Sequence, residues 1–228
     1  MVSTASAQAA PSETERHKAC IAKIDTDAKG AYEEALQWMT TSGDRPAARH
    51  CAALALIELG QPAEGAIRLE DLANAADSGS IDARAVYLAQ SGNAWLLAKK
   101  PEAAIVTLTN AMKLKPRDAE LLKDRARAFI MQKEWEDAGA DLDAANQIAP
   151  QDAECLRLRA TVLKQLKRYD EAWSDISTAL AIAPTDVANV VVRGDIREAM
   201  RLAGMPERKR ASARSSSLPR MSRRKPDS

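Results

Sequence analysis

The side chains best suited to metal or redox chemistry fall in two short clusters, His17-Lys-Ala-Cys20 and His50-Cys51, which hold both histidines of the chain. A structural zinc ion needs four such ligands converging as a tetrahedron. On a helix His17 and Cys20, three residues apart, share a face. His50 and Cys51 are adjacent and would point about 100° apart. The four do not read as one ligand set, and no metal site is expected. The thiols can pack separately as small buried hydrophobes. Alternatively, Cys20 and Cys51 can pair as a disulfide if the protein works in an oxidising compartment. Three cysteines in all (Cys155 is the third) are too few for a disulfide-stapled scaffold.

Other chemistry finds no constellation. The sequence has no glycine-rich phosphate loop, no nucleophile elbow and no histidine pair at zinc-binding helical spacing. Acid pairs such as Asp141/Asp143 and Glu33/Glu34 read as solvated helix faces rather than acid–base machinery. The expectation is a protein that is not an enzyme, with no catalytic residue and no cofactor.

The elements that must position these residues are helices. Apolar residues make up 46% of the chain and aromatics only 4%, so the core must be built mainly from Ala and Leu. Both are strong helix formers, because they lose little side-chain freedom in a helix. The alternation of β-branched residues that marks strands is nearly absent. No apolar run approaches the ~18 residues that span a bilayer. Pro116, Pro150 and Pro184 stand 34 residues apart, each closing a helical pattern. Proline stops a helix there, lacking the N–H and disfavouring helical geometry in the residue before it. The same step relates Ala104, Ala138 and Ala172; Leu108, Leu142 and Ile176; Ala111, Ala145 and Ala179; and Leu88, Leu122 and Leu156.

This pattern resembles the tetratricopeptide repeat, in its bacterial-type form. From Ala85 the diagnostic columns read Leu88, Gly92, Trp95, Ala104, Leu108, Ala111 and Pro116. From Ala119 they read Leu122, Ala126, Phe129, Ala138, Leu142, Ala145 and Pro150. From Ala153 they read Leu156, Ala160, Leu163, Ala172, Ile176, Ala179 and Pro184. The resemblance implies an all-α, right-handed α-solenoid of antiparallel helix pairs, about five units long. Small residues let the two helices of a pair approach, and neighbouring units complete each other's core. The units fall near 16–45, 46–79, 85–118, 119–152 and 153–186, with a partial unit at 187–202. The first is degenerate, matching through Tyr32, Ala35 and Met39. The solenoid thus covers 14–202, between an Ala/Ser-rich 1–13 expected to be disordered and a disordered basic tail at 203–228.

The resemblance further implies a binding groove lined by the first helix of each pair. Its columns here hold Gln90, Asn93, Lys123, Arg127, Arg157 and Thr161. Amide side chains there would bond a peptide backbone, and the three cations would hold a carboxylate. The expected partner is therefore a protein or peptide segment bound by a monomeric scaffold. The resemblance also makes the helices that carry Cys20 and Cys51 neighbours.

Charge divides the chain. Residues 201–228 carry nine Lys/Arg against two Asp/Glu, and residues 1–200 carry 24 against 30. The basic end could contact nucleic acid or an anionic surface through counterion release, although the lack of interleaved aromatics argues against base stacking. It also reads as a solubilising tail, or as text from a shifted frame. At the other end, Ala5-Ser-Ala7 and Ala7-Gln-Ala9 resemble signal-peptidase sites, but the cationic and apolar segments that should precede them are missing. A plain polar terminus is the alternative. With the two N-terminal cysteines, these residues favour a periplasmic or secreted location over a cytoplasmic one.

Overall fold

In a computed structural model, residues 11–43 and 45–205 are described, and among them every regular element is a helix. The expected disordered ends therefore lie largely outside the described residues. The helices are α1 (Glu13–Ser42), α2 (Pro46–Glu58), α3 (Pro62–Asn74), α4 (Ile81–Leu97), α5 (Pro101–Leu114), α6 (Ala119–Gln132), α7 (Trp135–Ile148), α8 (Ala153–Gln165), α9 (Tyr169–Ile182) and α10 (Val187–Leu202).

The start signals are local. Ser12 and Glu15 form a capping box on α1, satisfying backbone donors that the first turn leaves open. Asp118, Asp152 and Asp186, again 34 residues apart, cap α6, α8 and α10. α2, α3 and α5 open on proline, where the missing N–H costs nothing.

α1 is a hairpin rather than one rod. Asp27 leaves helical geometry at φ −151° and ψ 71°, and its carboxylate accepts a bond from the Gly30 N–H at 2.8 Å. Gly30 leaves room for that carboxylate, since a Cβ there would stand 2.0 Å from Asp27 Oδ2 and displace it. The chain folds back far enough for Cys20 Sγ to lie 3.7 Å from the Ala31 carbonyl oxygen. In a straight helix those residues would be about 16 Å apart. The arms 13–26 and 28–42 thus form the first pair, followed by α2/α3, α4/α5, α6/α7 and α8/α9. α10 comes last and packs on α9 and α8.

The repeating columns are the core. Leu122, Ala126, Ala138, Leu142 and Ala145 pack together within the α6/α7 pair. Leu156, Ala160, Leu163, Ala172, Ile176 and Ala179 do the same in α8/α9. Ala104, Ala138 and Ala172 have no exposed surface, nor do Leu108, Leu142 and Ile176. Each of these buried large side chains contributes about 1.5–3 kcal/mol. Gly92 marks a tight crossing, where an added Cβ would come 2.5 Å from Leu108 Cγ.

Candidate functional site

The first helices α4, α6 and α8 stand side by side, and polar side chains bridge them. Asn93 on α4 donates to Asp124 on α6 at 2.7 Å. Lys123 on α6 reaches Asp152, the cap of α8, at 2.5 Å. Arg127 on α6 pairs with Glu154 on α8 at 2.8 Å and also with Asp124. Arg157 joins the same Glu154 at 3.1 Å. Glu120 completes the cluster, 2.9 Å from Lys123. Thr161 turns its hydroxyl back to the Arg157 carbonyl oxygen at 3.0 Å.

The wall is therefore a lattice of alternating charge, not the open bank of three cations expected from the columns. Carboxylates at neighbouring positions, Glu120, Asp124, Asp152 and Glu154, neutralise the cations. Lys123 is itself buried, at 3% exposure. Burial alone would lower its pKa, but the bonds to Asp152 and Glu120 outweigh it and hold the ammonium protonated. Glu154 is held below its usual range because Arg127 and its neighbours outweigh burial. Asp124 goes the other way, raised by burial despite the Asn93 and Arg127 contacts. Among the described residues of this wall, only Arg157 keeps a buried donor without a partner, its Nε.

Gln90 lies apart from this lattice and serves the N-terminal cluster. His50 Nε2 is 2.7 Å from Gln90 Oε1, and His50 Nδ1 is 3.0 Å from His17 Nε2. An amide oxygen only accepts, so His50 donates to it and must accept from His17 on its other nitrogen. This chain joins α1, α2 and α4. Beside it Cys20 and Cys51 are bonded, with Sγ atoms 1.94 Å and Cα atoms 6.2 Å apart. Cys155 is a buried free thiol, whose pKa burial and then Asp152 push up to about 11. Among the described residues no group of three or more His, Cys, Asp or Glu side chains is placed to hold a metal ion.

A second polar array runs between successive helix pairs, and the sequence reading missed it. Arg125 grips Asp141 through two bonds, 2.8 and 2.7 Å, and donates to Thr109 of the preceding pair at 3.1 Å. One repeat on, Arg159 grips Asp175 at 2.6 and 2.8 Å and reaches Asp143 at 3.0 Å. One repeat earlier the columns hold Ser91 and Thr107, and the charge moves to Glu70, whose Oε1 accepts from Ser91, Thr107 and Trp95. Asp141, expected on a solvated face, is thus buried. The signal was present as the 34-residue spacing of Arg125 to Arg159 and of Asp141 to Asp175. A cavity of about 640 Å³ lies at the Glu70 rung, but its polar lining is largely engaged, as by Arg84 on the Ala73 carbonyl oxygen and Lys113 on Asn110.

Among the described residues, no helix is long and apolar enough to cross a membrane. Residues 96–162 match a family model described as tetratricopeptide repeat. No curated protein matches the chain in sequence. Solved structures do. The Arabidopsis OM64 TPR domain is 28% identical with a TM-score of 0.50, the match covering 53% of this chain and 98% of that one. TTC0263, a thermophilic TPR protein of Thermus thermophilus, is 18% identical at TM-score 0.57, over 83% of this chain and 100% of that one. MamA of Desulfovibrio magneticus RS-1 (residues 41 to the end) is 12% identical at TM-score 0.63, over 78% and 99%. The last two are likenesses of fold.

Proposed function

We propose that this chain, which carries tetratricopeptide repeats, is a protein-interaction scaffold that takes an extended segment of another protein along the wall formed by α4, α6 and α8. One observation carries the reading: Arg157 presents a buried Nε with no partner in a wall whose other cations are already matched. A buried donor left open costs about 1–3 kcal/mol. A turn of the Arg157 side chain that brings Nε onto a ligand carboxylate would remove that cost and form a charge-assisted bond. Asn93, Arg127 and Lys123 act as the frame that holds this arginine's surroundings, and Thr161 bonds its carbonyl oxygen.

The test is an array of peptides with free or amidated C-termini and with acidic or amide side chains, probed with the purified protein. Carboxylate-bearing members should bind preferentially. Arg157→Ala should weaken them roughly 10- to 100-fold, corresponding to ~1.5–3 kcal/mol, without loss of helical circular dichroism. Equal binding by wild type and Arg157→Ala would refute the groove assignment.

The reading extends to a monomeric, bacterial-type protein of an oxidising compartment, periplasmic or secreted. The Cys20–Cys51 pairing supports the compartment, since such bonds persist where thiols are not kept reduced. Thiol alkylation of protein taken from its native host, with one reactive thiol per denatured chain expected and three disproving the pairing, tests it.

A further inference from the structure

We infer that α10 is a docking site for an amphipathic helix of another protein, seated where the second helix of a sixth pair would lie and fixed by an Asp that pairs with Arg193. The inference concerns the end of the solenoid and is independent of the groove.

Every preceding first helix has two working faces. The backward face of α10 is packed: Asn189 and Ile196 have no exposed surface, Met200 is buried, and the Asn189 amide donates to the Ala179 and Ala183 carbonyl oxygens at 3.4 Å each. The forward face is not. In α8 it comprises Leu156 and Ala160, packed with Ala172, Ile176 and Ala179 of α9. The matching residues of α10 are Val190, 44% exposed, and Gly194, where an added Cβ would meet nothing within 4 Å. At Gly92, in the same column, the Cβ would strike Leu108. The site is shaped for close helix approach, and none of the described residues covers it.

The charge at this face says what should cover it. Arg193 stands 34 residues beyond Arg159 and 68 beyond Arg125, each of which grips an aspartate sixteen residues later. Arg193 has no hydrogen-bond or ion-pair partner among the described residues. The chain itself cannot supply one in register. Where α9 has Ala172, Asp175 and Ile176, the sequence one repeat on has Pro206, Lys209 and Arg210. A proline would stand in the first turns, and a cation would face Arg193. The occupant must therefore come from outside and carry the pattern that α7 and α9 share: Ala, then Asp three residues on, Leu or Ile next, and Ala three further (Ala138, Asp141, Leu142, Ala145; Ala172, Asp175, Ile176, Ala179).

A fluorescein-labelled, end-blocked peptide of residues 168–183 serves as the probe, because it carries this pattern. Full-length protein should raise its fluorescence anisotropy saturably. Asp175→Lys in the peptide, or Arg193→Glu in the protein, should each weaken binding at least about tenfold, as expected for loss of a charge-assisted pair. Combining the two should restore it, and Gly194→Leu should block it by filling the crossing. Absence of binding, or binding indifferent to Arg193 and Gly194, would overturn the proposal. So would binding that appears only after proteolytic removal of residues 206–228, which would give the face to the chain's own end. A concentration-dependent dimer abolished by Arg193→Glu would give it to a second copy and equally overturn the proposal.

Discussion

Single residues divide here by what their burial demands. Ala138 is wholly buried at a helix crossing, so Ala138→Leu should cost about 1–3 kcal/mol by overpacking, read as a lower urea midpoint with unchanged slope. Asp141 is buried too, but its position is tolerable only because Arg125 holds it with two bonds. Asp141→Ala should cost about 3 kcal/mol, since it strands a half-buried guanidinium, whereas removing both partners as Arg125→Leu with Asp141→Leu should cost less. A double variant less stable than Asp141→Ala would contradict that account. The histidine chain gives a pH dependence with a definite sign. Burial lowers the pKa of His50, with His17 adding to it against the Gln90 bond, and burial lowers that of His17 against the pull of Glu13. Around the pair lie Glu13 on α1, Arg49 on α2, and Tyr87 and Gln90 on α4, the Tyr87 ring centroid 4.9 Å from that of His50. The unfolded chain takes up these protons first, so stability should be full above about pH 6.5 and decline as the pH falls below it. His17→Gln with His50→Gln should flatten urea midpoints measured between pH 7.5 and 5.5.

At the scale of the element, the turns inside the α4/α5, α6/α7 and α8/α9 pairs repeat a conformation that their residue type disfavours. Lys99, Lys133 and Lys167 have φ of 57°, 64° and 60°, and Gly60 at the corresponding turn has 78°. Left-handed geometry costs a side-chain-bearing residue ~1–2 kcal/mol, and glycine returns part of that gain through its freer unfolded chain. Lys133→Gly should therefore stabilise by about 0.5–1 kcal/mol, visible as a melting point raised by a few degrees. The pairs themselves were legible in the sequence because each of their columns is a steric necessity: a small residue at a crossing, a large one beside it, proline after the end. The α1 hairpin was less so, because Asp27 turns the chain with no proline and only Gly30 nearby. The Arg–Asp rungs escaped because their columns change type, from Ser91 to Arg125 and from Thr107 to Asp141. Lys123, Arg127 and Arg157 do lie on the first helices α6 and α8. What neutralises them was hidden, since Asp152 reads locally as a helix cap and Glu154 as a first-turn acid.

Across the whole molecule, stability in such an array is close to a sum of pair terms and nearest-neighbour terms, so each end is governed by what holds its last unit. At the C-terminal end of the described residues α10 covers α9 through Asn189, Ile196 and Met200, and none of those residues covers its own forward face. At the N-terminal end the first pair is the least regular in sequence, and it is held by three cross-links of different chemistry. Cys20–Cys51 joins the first arm of α1 to α2 covalently, His17–His50–Gln90 ties the same two elements to α4, and Arg45 reaches Glu13 at 3.8 Å. A covalent tie closing a loop of about 30 residues contributes ~2–4 kcal/mol, chiefly by restricting the unfolded chain. Because the tie lies wholly within the first two pairs, its loss should be felt locally. With dithiothreitol, or in Cys20→Ser with Cys51→Ser, backbone amides of residues 13–58 should lose hydrogen-exchange protection by about 30- to 1,000-fold. Those of α6 to α9 should change little. Equal loss across all helices would mean that the array unfolds as one cooperative block, and that the disulfide anchors the whole molecule rather than its first units.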